Sequence, residues 1–300
     1  MWRWLAGGIA AFAALAAVAL WAISEPEVPR AVLEAKYATP PSQFLVLADG
    51  TRLHYRDRGP RDGPVLIVLH GFSGSLFIWE SWSRALSDRF RVISLDLPGH
   101  GLTGAVPSGD YSQGAMVQSV KAVADRLGLD RFALAGVSMG GGVAARFAEL
   151  YPKRVSHLIL IDAAGARTST RPRLHLSTMA ANLPVIDRFF LYAVMKRMPE
   201  LAHMEGSPQA ILEHFRLADD TYVWNHVGAI KAPVLILWGG NDQVIPIAGA
   251  YAWHNAIPGS KLIVYPGAGH VSMADAPQSA RDVREFLGTE PRPSAGEGTW

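Results

Sequence analysis

Short apolar runs alternate with helical patterns along the chain from about residue 42 to residue 287. Runs rich in β-branched residues predict eight strands, at 44–48, 53–58, 65–70, 91–97, 132–137, 157–162, 234–239 and 261–266. Helical periodicity predicts helices between them, at 78–87, 112–127, 140–151, 247–256 and 277–287. The first two runs alternate in polarity around an Asp-Gly turn signal, whereas the later runs are apolar throughout. We therefore predict the α/β class, with a mostly parallel eight-stranded sheet flanked by helices.

The stretch between the sixth and seventh predicted strands breaks this alternation. Residues 164–226 contain no convincing strand, but several short helical patterns that prolines interrupt. We predict that they form an inserted helical cap, and that residues 42–163 and 227–287 form the core domain. The bulky apolar side chains of the insert either pack it onto the core or line an apolar cleft. The second possibility makes Phe189, Phe190 and Met195 candidate substrate-binding residues.

Residues 1–24 carry an uncharged apolar stretch that is long enough to cross a membrane. From Trp4 to Ile23 it would rise about 30 Å as a helix, the thickness of the hydrocarbon layer. We predict a single-pass N-terminal anchor. Arg3 precedes the stretch and Glu25 follows it, so the rest of the chain is expected to be extracytoplasmic. Two alternatives stay open: a signal segment that is cleaved near Ala19, giving a secreted or periplasmic protein, and a hydrophobic N-terminal helix buried in the domain.

Composition limits the remaining segments and the possible chemistry. Residues 25–41 contain four prolines and predict a linker, and the proline- and glycine-rich residues 288–300 predict a disordered tail. Lys and Arg number 28 against 26 Asp and Glu, a balance that argues against a nucleic acid partner. The absence of cysteine excludes disulfides, a thiol nucleophile and cysteine-ligated metals. No HExxH or other metal-ligand spacing occurs among the 10 histidines.

A serine stands between a predicted strand and a predicted helix. Residues 136–140 read Gly-Val-Ser-Met-Gly and match G-x-S-x-G, a pattern that is weak by itself. Its context strengthens it, because a strand, a serine and a helix in this order form a tight elbow that exposes the serine hydroxyl at the sheet edge. Gly136 and Gly140 suit such an elbow, where a side chain would clash with neighbouring elements. We predict that Ser138 is a nucleophile.

A serine hydroxyl needs a neutral imidazole to take its proton and a carboxylate to orient that imidazole. His270 follows the last predicted strand in a glycine-rich loop, at the same sheet edge as the elbow. Asp242 follows the seventh strand in the same way. We predict His270 as general base and then acid, with Asp242 orienting it, so activity should fall when the imidazole is protonated. Asp162, after the sixth strand, is the alternative acid; otherwise it caps the chain entering the insert.

The oxyanion that forms when serine attacks a carbonyl needs two N–H donors that are already in position. The loop after the third strand reads His-Gly-Phe-Ser-Gly and offers the N–H of Phe72. The N–H of Met139 begins the elbow helix and is the second candidate. We predict His70 as a structural hydrogen-bonding residue that holds this loop.

Together with the segment DLPGHG at 96–101, these motifs make the chain similar to the serine α/β-hydrolase family, in particular to esterases and lipases with a helical cap. The resemblance spans about residues 42–287. It implies the α/β-hydrolase fold, acylation of Ser138, hydrolysis of the acyl-enzyme by water, and no cofactor. Carbon-carbon hydrolases of this family usually have Asn before the serine, Gly-Pro in the oxyanion loop and an aromatic residue after the histidine. Here those places hold Val137, Ser73-Gly74 and Val271.

These departures favour a carboxylic ester as the substrate. We expect a small-molecule ester with a medium-chain or arylalkyl acyl group, a membrane contact through the N-terminal helix, and no nucleic acid partner. The oligomeric state is left open. Two alternatives stay in place: cleavage of a carbon-carbon, lactone or amide bond by the same triad, and a receptor-like module that retains the triad and binds a ligand.

Overall fold

The computed structural model describes residues 27–167, 201, 204–207, 210 and 225–288 of the 300-residue chain. Eight strands run through this part: β1 (Ser42–Val46), β2 (Arg52–Arg58), β3 (Val65–Leu69), β4 (Arg91–Leu95), β5 (Phe132–Val137), β6 (Val155–Ile161), β7 (Val234–Gly239) and β8 (Lys261–Tyr265). Each begins and ends within two residues of its predicted bounds. The prediction of eight strands is confirmed.

The strands form one sheet in the order β1-β2-β4-β3-β5-β6-β7-β8. β1 pairs antiparallel with β2, and β2 antiparallel with β4, while every later pair is parallel. The mostly parallel sheet is therefore confirmed, as is the antiparallel hairpin. β4 and β5 lie on opposite sides of β3, so the strand order reverses there. In open parallel sheets, ligand sites lie at the carboxyl ends of the strands beside such a reversal.

Seven helices accompany the sheet: α1 (Arg30–Tyr37), α2 (Glu80–Leu86), α3 (Gln113–Arg126), α4 (Met139–Leu150), α5 (Ala248–Ala256), α6 (Ser272–Asp275) and α7 (Ser279–Leu287). Short 3-10 turns lie at Leu76–Trp79 and Val227–Ala229. The five predicted helices correspond to α2, α3, α4, α5 and α7. Ser112 caps α3, since its Oγ accepts a hydrogen bond from the Ala115 N–H at 3.2 Å.

Two apolar cores cover the two faces of the sheet. Ile67 and Leu69 of β3 pack into one core with side chains of α3, α4 and α5. Leu66 and Val68 point to the opposite face and pack with side chains of α2 and α7. This alternation follows from the two-residue period of a strand, and explains why β3 is apolar at every position. Each fully buried side chain of this size contributes about 1.5–3 kcal/mol, which holds the strand ends in fixed positions.

The segment that the sequence predicts as a linker contains α1. Leu33 is fully buried and packs with Leu102 and Met204. The Arg30 guanidinium donates to the backbone oxygens of Leu102 and Thr103, at 2.8 and 3.1 Å. This helix differs from the prediction of an irregular linker, because one buried side chain in eight residues gives no readable periodicity.

The predicted membrane localisation needs correction. Among the described residues no helix is long and apolar enough to cross a membrane. The longest of their helices, α3, has 14 residues, whereas a spanning helix needs about 20 apolar ones. The prediction of an anchored, extracytoplasmic domain is wrong on this finding. The apolar stretch on which it was based, within residues 1–24, lies outside the described residues.

Two other predicted segments also lie mostly beyond the described part. Of the predicted cap at 164–226, only residues 164–167, 201, 204–207, 210, 225 and 226 are described, and of the predicted tail only residue 288. The described cap residues include Glu205, whose N–H donates to the Val28 oxygen at 3.0 Å, beside a parallel bridge between Val28 and Met204. The cap and the tail stay predictions.

The connection from β5 to α4 consists of one residue, Ser138. A Cβ on Gly136 would lie 2.1 Å from the Gly140 oxygen, and a Cβ on Gly140 would lie 2.3 Å from the His70 oxygen. Both obstacles are backbone atoms, which cannot move without the strand or helix that contains them. The two glycines therefore allow the start of α4 to lie directly against β5 and the end of β3.

Substituting Gly140→Ala should destabilise the fold by about 2–3 kcal/mol or more, because the new methyl group overlaps the backbone at the end of β3. Urea denaturation of purified protein measures this as a lower midpoint. Gly228→Ala is the matched control, since a Cβ there meets nothing within 4 Å, and it should change stability by less than about 0.5 kcal/mol. Equal stability of the two variants would contradict the packing argument.

Glu149 on α4 is a buried carboxyl group that lacks a hydrogen-bond partner. Its residue is 7% exposed, and neither carboxylate oxygen accepts a hydrogen bond from the described residues. Burial raises the pKa of Glu149 to about 8, and the charge of Arg146 offsets this only in part. The folded protein therefore holds a proton on Glu149 that the unfolded chain loses near its ordinary pKa of 4.5. As a result, ionisation of Glu149 costs stability as the pH rises from about 4.5 to about 8.

Substituting Glu149→Gln should remove this pH-dependent loss. The stability difference between variant and wild type should grow in favour of the variant by up to about 1.4 kcal/mol per pH unit between roughly pH 5 and 8. Urea denaturation at pH 5, 6, 7 and 8 measures the difference. Glu285→Gln, an exposed glutamate on α7, serves as control and should give a difference that does not vary with pH. A constant difference for Glu149→Gln as well would refute the assignment.

Candidate active site

Ser138 lies at the carboxyl end of β5 in a strained backbone conformation, with φ 54° and ψ −122°. Its N–H donates to the Ile161 oxygen at 2.9 Å, and its own oxygen accepts from the N–H groups of Gly141 and Ala164, at 3.0 and 2.9 Å. A non-glycine residue with positive φ costs of the order of 1–3 kcal/mol and persists only where surrounding contacts fix it. The fold thus holds the Ser138 side chain at the sheet edge, as the elbow motif predicts.

His270 comes from a different part of the chain and meets Ser138 directly. It lies in the turn between β8 and α6, and its Nε2 is 2.9 Å from Ser138 Oγ. Its Nδ1 is 2.8 Å from Asp242 Oδ2. Because the carboxylate can only accept, Nδ1–H donates to Asp242, and Nε2 is the acceptor for the serine hydroxyl. The structure brings together all three residues that the sequence predicts as a triad.

Asp242 is fixed by its own loop. Its side chain is fully buried, and Oδ1 accepts hydrogen bonds from the N–H groups of Val244 and Ile245, at 2.8 and 2.9 Å. These bonds leave Oδ2 directed at His270. A carboxylate held in this way selects the imidazole tautomer with hydrogen on Nδ1, and it stabilises positive charge on the ring.

Asp162, the alternative acid, has different partners. Its Oδ1 accepts from the Gly239 N–H and its Oδ2 from the Ser272 N–H, both at 2.8 Å. Burial raises the pKa of Asp162 to about 6, and the neighbouring charge of Asp242 adds to this effect. The His270 bond goes to Asp242, so the geometry favours Asp242 over Asp162 as the partner of the imidazole.

The predicted oxyanion loop lies against the serine. A Cβ on Gly71 would be 3.1 Å from Ser138 Cβ, which puts the backbone before Phe72 beside the nucleophile. Met139 is the first residue of α4, and the first N–H groups of a helix have no partner within the helix. Both predicted donors therefore belong to segments that border Ser138. Their role as an oxyanion hole stays a prediction.

His70 holds this loop in place, as its neutral form requires. Its Nε2 accepts from the Leu97 N–H at 3.0 Å, and its Nδ1–H donates to the Gly71 oxygen at 2.7 Å. The ring is fully buried, and burial lowers the pKa of His70. A protonated ring would lose the bond from Leu97, so the neutral state and the loop conformation support each other.

Other predicted or possible site residues lie elsewhere. Phe189, Phe190 and Met195 are outside the described residues. Within the described part, no group of three or more His, Asp or Glu side chains could hold a metal ion. A cavity of about 310 Å³ opens between the β1–β2 turn and α3, but none of the three triad residues lines it. It is therefore not part of the candidate active site.

Sequence reasoning missed two contributors to the site, Gly239 and Ser272, whose backbone N–H groups bind Asp162. Backbone donors leave no mark on residue type, so only the end-of-strand position of Asp162 could have drawn attention to this arrangement. The short helix α6, which begins at Ser272, was missed for a similar reason. Four residues are too few for a periodic pattern.

Comparison with known proteins agrees with this geometry. A family model described as alpha/beta hydrolase fold matches residues 64–194 and 203–277. The dihydrolipoyllysine-residue acetyltransferase component of the acetoin cleaving system of Pseudomonas putida is 30% identical over 275 residues, covering 84% of this chain and 71% of that protein. Pimeloyl-(acyl-carrier protein) methyl ester esterase of Nitrosomonas europaea is 28% identical over 241 residues, covering 72% of this chain and 92% of that protein.

A solved structure of a thermophilic esterase from Thermogutta terrifontis is also similar. It is 25% identical with a TM-score of 0.66, and the match covers 82% of this chain and 98% of that one. The family model covers more than half of the chain, and it includes the segments that carry Ser138, Asp242 and His270. The resemblance inferred from the motifs is therefore confirmed, and the chain belongs to the alpha/beta hydrolase fold family.

Proposed function

We propose that this hydrolase cleaves carboxylic esters through an acyl-enzyme intermediate on Ser138. The observation that carries the proposal is the unbroken pair of hydrogen bonds from Ser138 Oγ to His270 and on to Asp242, at 2.9 and 2.8 Å. The three side chains are 132 and 28 residues apart in the sequence. This is the arrangement of nucleophile, base and orienting acid that acyl transfer needs.

The first half of the reaction acylates the serine. Ser138 Oγ attacks the ester carbonyl carbon while its proton moves to His270 Nε2, and the carbonyl π electrons move onto the oxygen. Collapse of this tetrahedral species re-forms the carbonyl and breaks the bond to the alcohol oxygen. His270 then gives its proton to that oxygen, and the alcohol leaves. Asp242 stabilises the transient imidazolium throughout.

The second half releases the acid. Water gives a proton to His270 Nε2 and its oxygen attacks the acyl carbon, so that the carbonyl electrons again move onto the oxygen. Collapse breaks the bond to Ser138 Oγ, which recovers the proton from His270. We propose that the N–H groups of Phe72 and Met139 donate to the oxyanion in both halves, because preorganised donors stabilise charge that develops only in the transition state.

Support for an ester comes from the relatives and from the residues around the triad. Two of the matched proteins are esterases by name, and Val137, Ser73-Gly74 and Val271 depart from the pattern of carbon-carbon hydrolases. We propose a medium-chain or arylalkyl acyl group, on the basis of the apolar residues of the predicted cap. Lactone, amide and carbon-carbon bonds can be broken by the same triad, so the tests below include them.

Substituting Ser138→Ala should abolish labelling by a fluorophosphonate probe and reduce ester turnover by at least about 10³-fold, since no other hydroxyl lies at the His270 nitrogen. Labelling is measured by fluorescence after denaturing electrophoresis, and turnover with p-nitrophenyl butyrate. Ser108→Ala, at an exposed loop position, is the control and should keep both signals. If Ser138→Ala is still labelled and active, the assignment of the nucleophile is wrong. Labelled wild type without turnover would favour the receptor-like alternative.

A series of p-nitrophenyl esters from acetate to palmitate tests the acyl group. The value of kcat/KM should rise by up to about fourfold for each CH₂ that the enzyme buries, reach a maximum at medium chain length and then fall. Steady-state kinetics at fixed detergent concentration measures the series, with phenylacetate and phenylbutyrate esters as arylalkyl members. A monotonic decline from acetate would contradict an apolar acyl site. Faster cleavage of a matched lactone or anilide would favour the alternative bond types.

A further inference from the structure

Asp162 is a buried carboxylate that the proposed reaction does not use. It is the first residue after β6 and is fully buried. Its backbone has φ 44°, a left-handed conformation that is uncommon outside glycine. Its N–H donates to the Leu237 oxygen of β7 at 3.0 Å. These constraints fix the carboxyl group at the end of the sheet, between the segments that follow β7 and β8.

The two carboxylate oxygens bind two different segments. Oδ1 accepts from the N–H of Gly239, three residues before Asp242, and Oδ2 accepts from the N–H of Ser272, two residues after His270. Both bonds are 2.8 Å long. A single side chain thus connects the segment that carries the acid with the segment that carries the base.

The same two segments also contact each other. The N–H of Gly240 donates to the Tyr265 oxygen at 2.8 Å, and the N–H of Asn241 donates to the Ala268 oxygen at 2.9 Å. A Cβ on Gly239 would lie only 2.0 Å from the Gly269 oxygen. The acid and base segments are therefore in direct backbone contact, and Asp162 adds a connection from a third strand.

This connection costs stability in its ionised form. Burial raises the pKa of Asp162 to about 6, so the group is charged at neutral pH in spite of its surroundings. The charged groups that interact with it include Asp242, whose carboxylate opposes ionisation, and its charge in turn raises the pKa of Tyr265. Costly polar groups are often found where a site needs them, and here the group adjoins the two triad loops.

We propose that Asp162 is a positioning residue of the triad, whose carboxylate holds the Asp242 and His270 segments at the separation that the hydrogen bonds through His270 require. The inference rests on the proposed function, because it assigns a role relative to that triad. Asp162 does not touch the substrate; it acts through His270 and Asp242.

The test substitution is Asp162→Asn, which keeps the shape of the side chain but replaces one acceptor oxygen by a nitrogen that only donates. One of the two bonds to Gly239 and Ser272 is then lost. We expect kcat for a p-nitrophenyl ester to fall about 10- to 100-fold, because small displacements of catalytic groups cost rates of this size. KM should change by less than about threefold. The low-field proton NMR resonance of His270 Nδ1–H should shift or broaden.

Asp57→Asn is the matched control. Asp57 is also buried and accepts from the Arg91 guanidinium, at 2.7 Å, but Arg91 begins β4 at the opposite edge of the parallel strands. This variant should lose stability while its folded form keeps the wild-type kcat and the wild-type His270 resonance. Loss of stability by itself would therefore not reproduce the expected result for Asp162→Asn.

The outcomes separate the two proposals. If wild-type protein turns over esters and is labelled at Ser138, but Asp162→Asn keeps its kcat and its resonance, the positioning role is overturned and the proposed function stands. Wild-type protein without labelling or turnover overturns the proposed function, and the positioning role with it.

If Asp162→Asn does not fold, the wild-type protein supplies the answer. Protonation of Asp162 places a hydrogen on one acceptor oxygen and so imitates the variant. The fall of kcat on acidification from pH 7.5 to 5 should then require two ionisations, one of the base and one near pH 6. A fall that a single ionisation describes overturns the positioning role.

Discussion

The close approach of backbone to backbone behind Ser138 is the constraint on which the rest of the site depends. Gly136 and Gly140 have no side chain where β5, α4 and the end of β3 meet, and a methyl group at either place would overlap a backbone oxygen. The chain can therefore turn from strand to helix within one residue. Its positive φ is held by hydrogen bonds to the Ile161 oxygen and from Gly141 and Ala164. The serine hydroxyl is exposed because this packing leaves it no other direction.

The parallel sheet then brings the partners to that hydroxyl. β5, β7 and β8 are parallel, so the segments that follow them emerge at one edge. Two buried carboxylates lie there, and their hydrogen-bond partners separate their roles. Asp242 receives two backbone N–H groups and the imidazole of His270, whereas Asp162 receives only backbone N–H groups of the adjoining segments. The same residue type thus orients the base in one case and connects the loops in the other.

Much of the fold could be predicted from the sequence, because strand runs such as 132–137 and 234–239 are apolar at every position and sharply bounded. The triad could be predicted because a serine, an acid and a histidine each follow such a strand. The helix α1 could not, since Leu33 alone among its residues is buried. Asp162 could be recognised only as an alternative acid, because its backbone partners have no sequence signature. The predicted anchor failed as a statement about location, since an apolar stretch determines what a segment can do and not where the protein resides.

The sequence by itself determined the strand pattern, the glycine spacing around Ser138 and the family, because each depends on local residue type and short-range order. Only the tertiary structure decided which acid meets His270, since Asp162 and Asp242 occupy equivalent positions after neighbouring strands. That choice depends on the direction of each carboxylate. Hydrogen bonds between segments distant in the chain set these directions, and such bonds exist only once the sheet has formed.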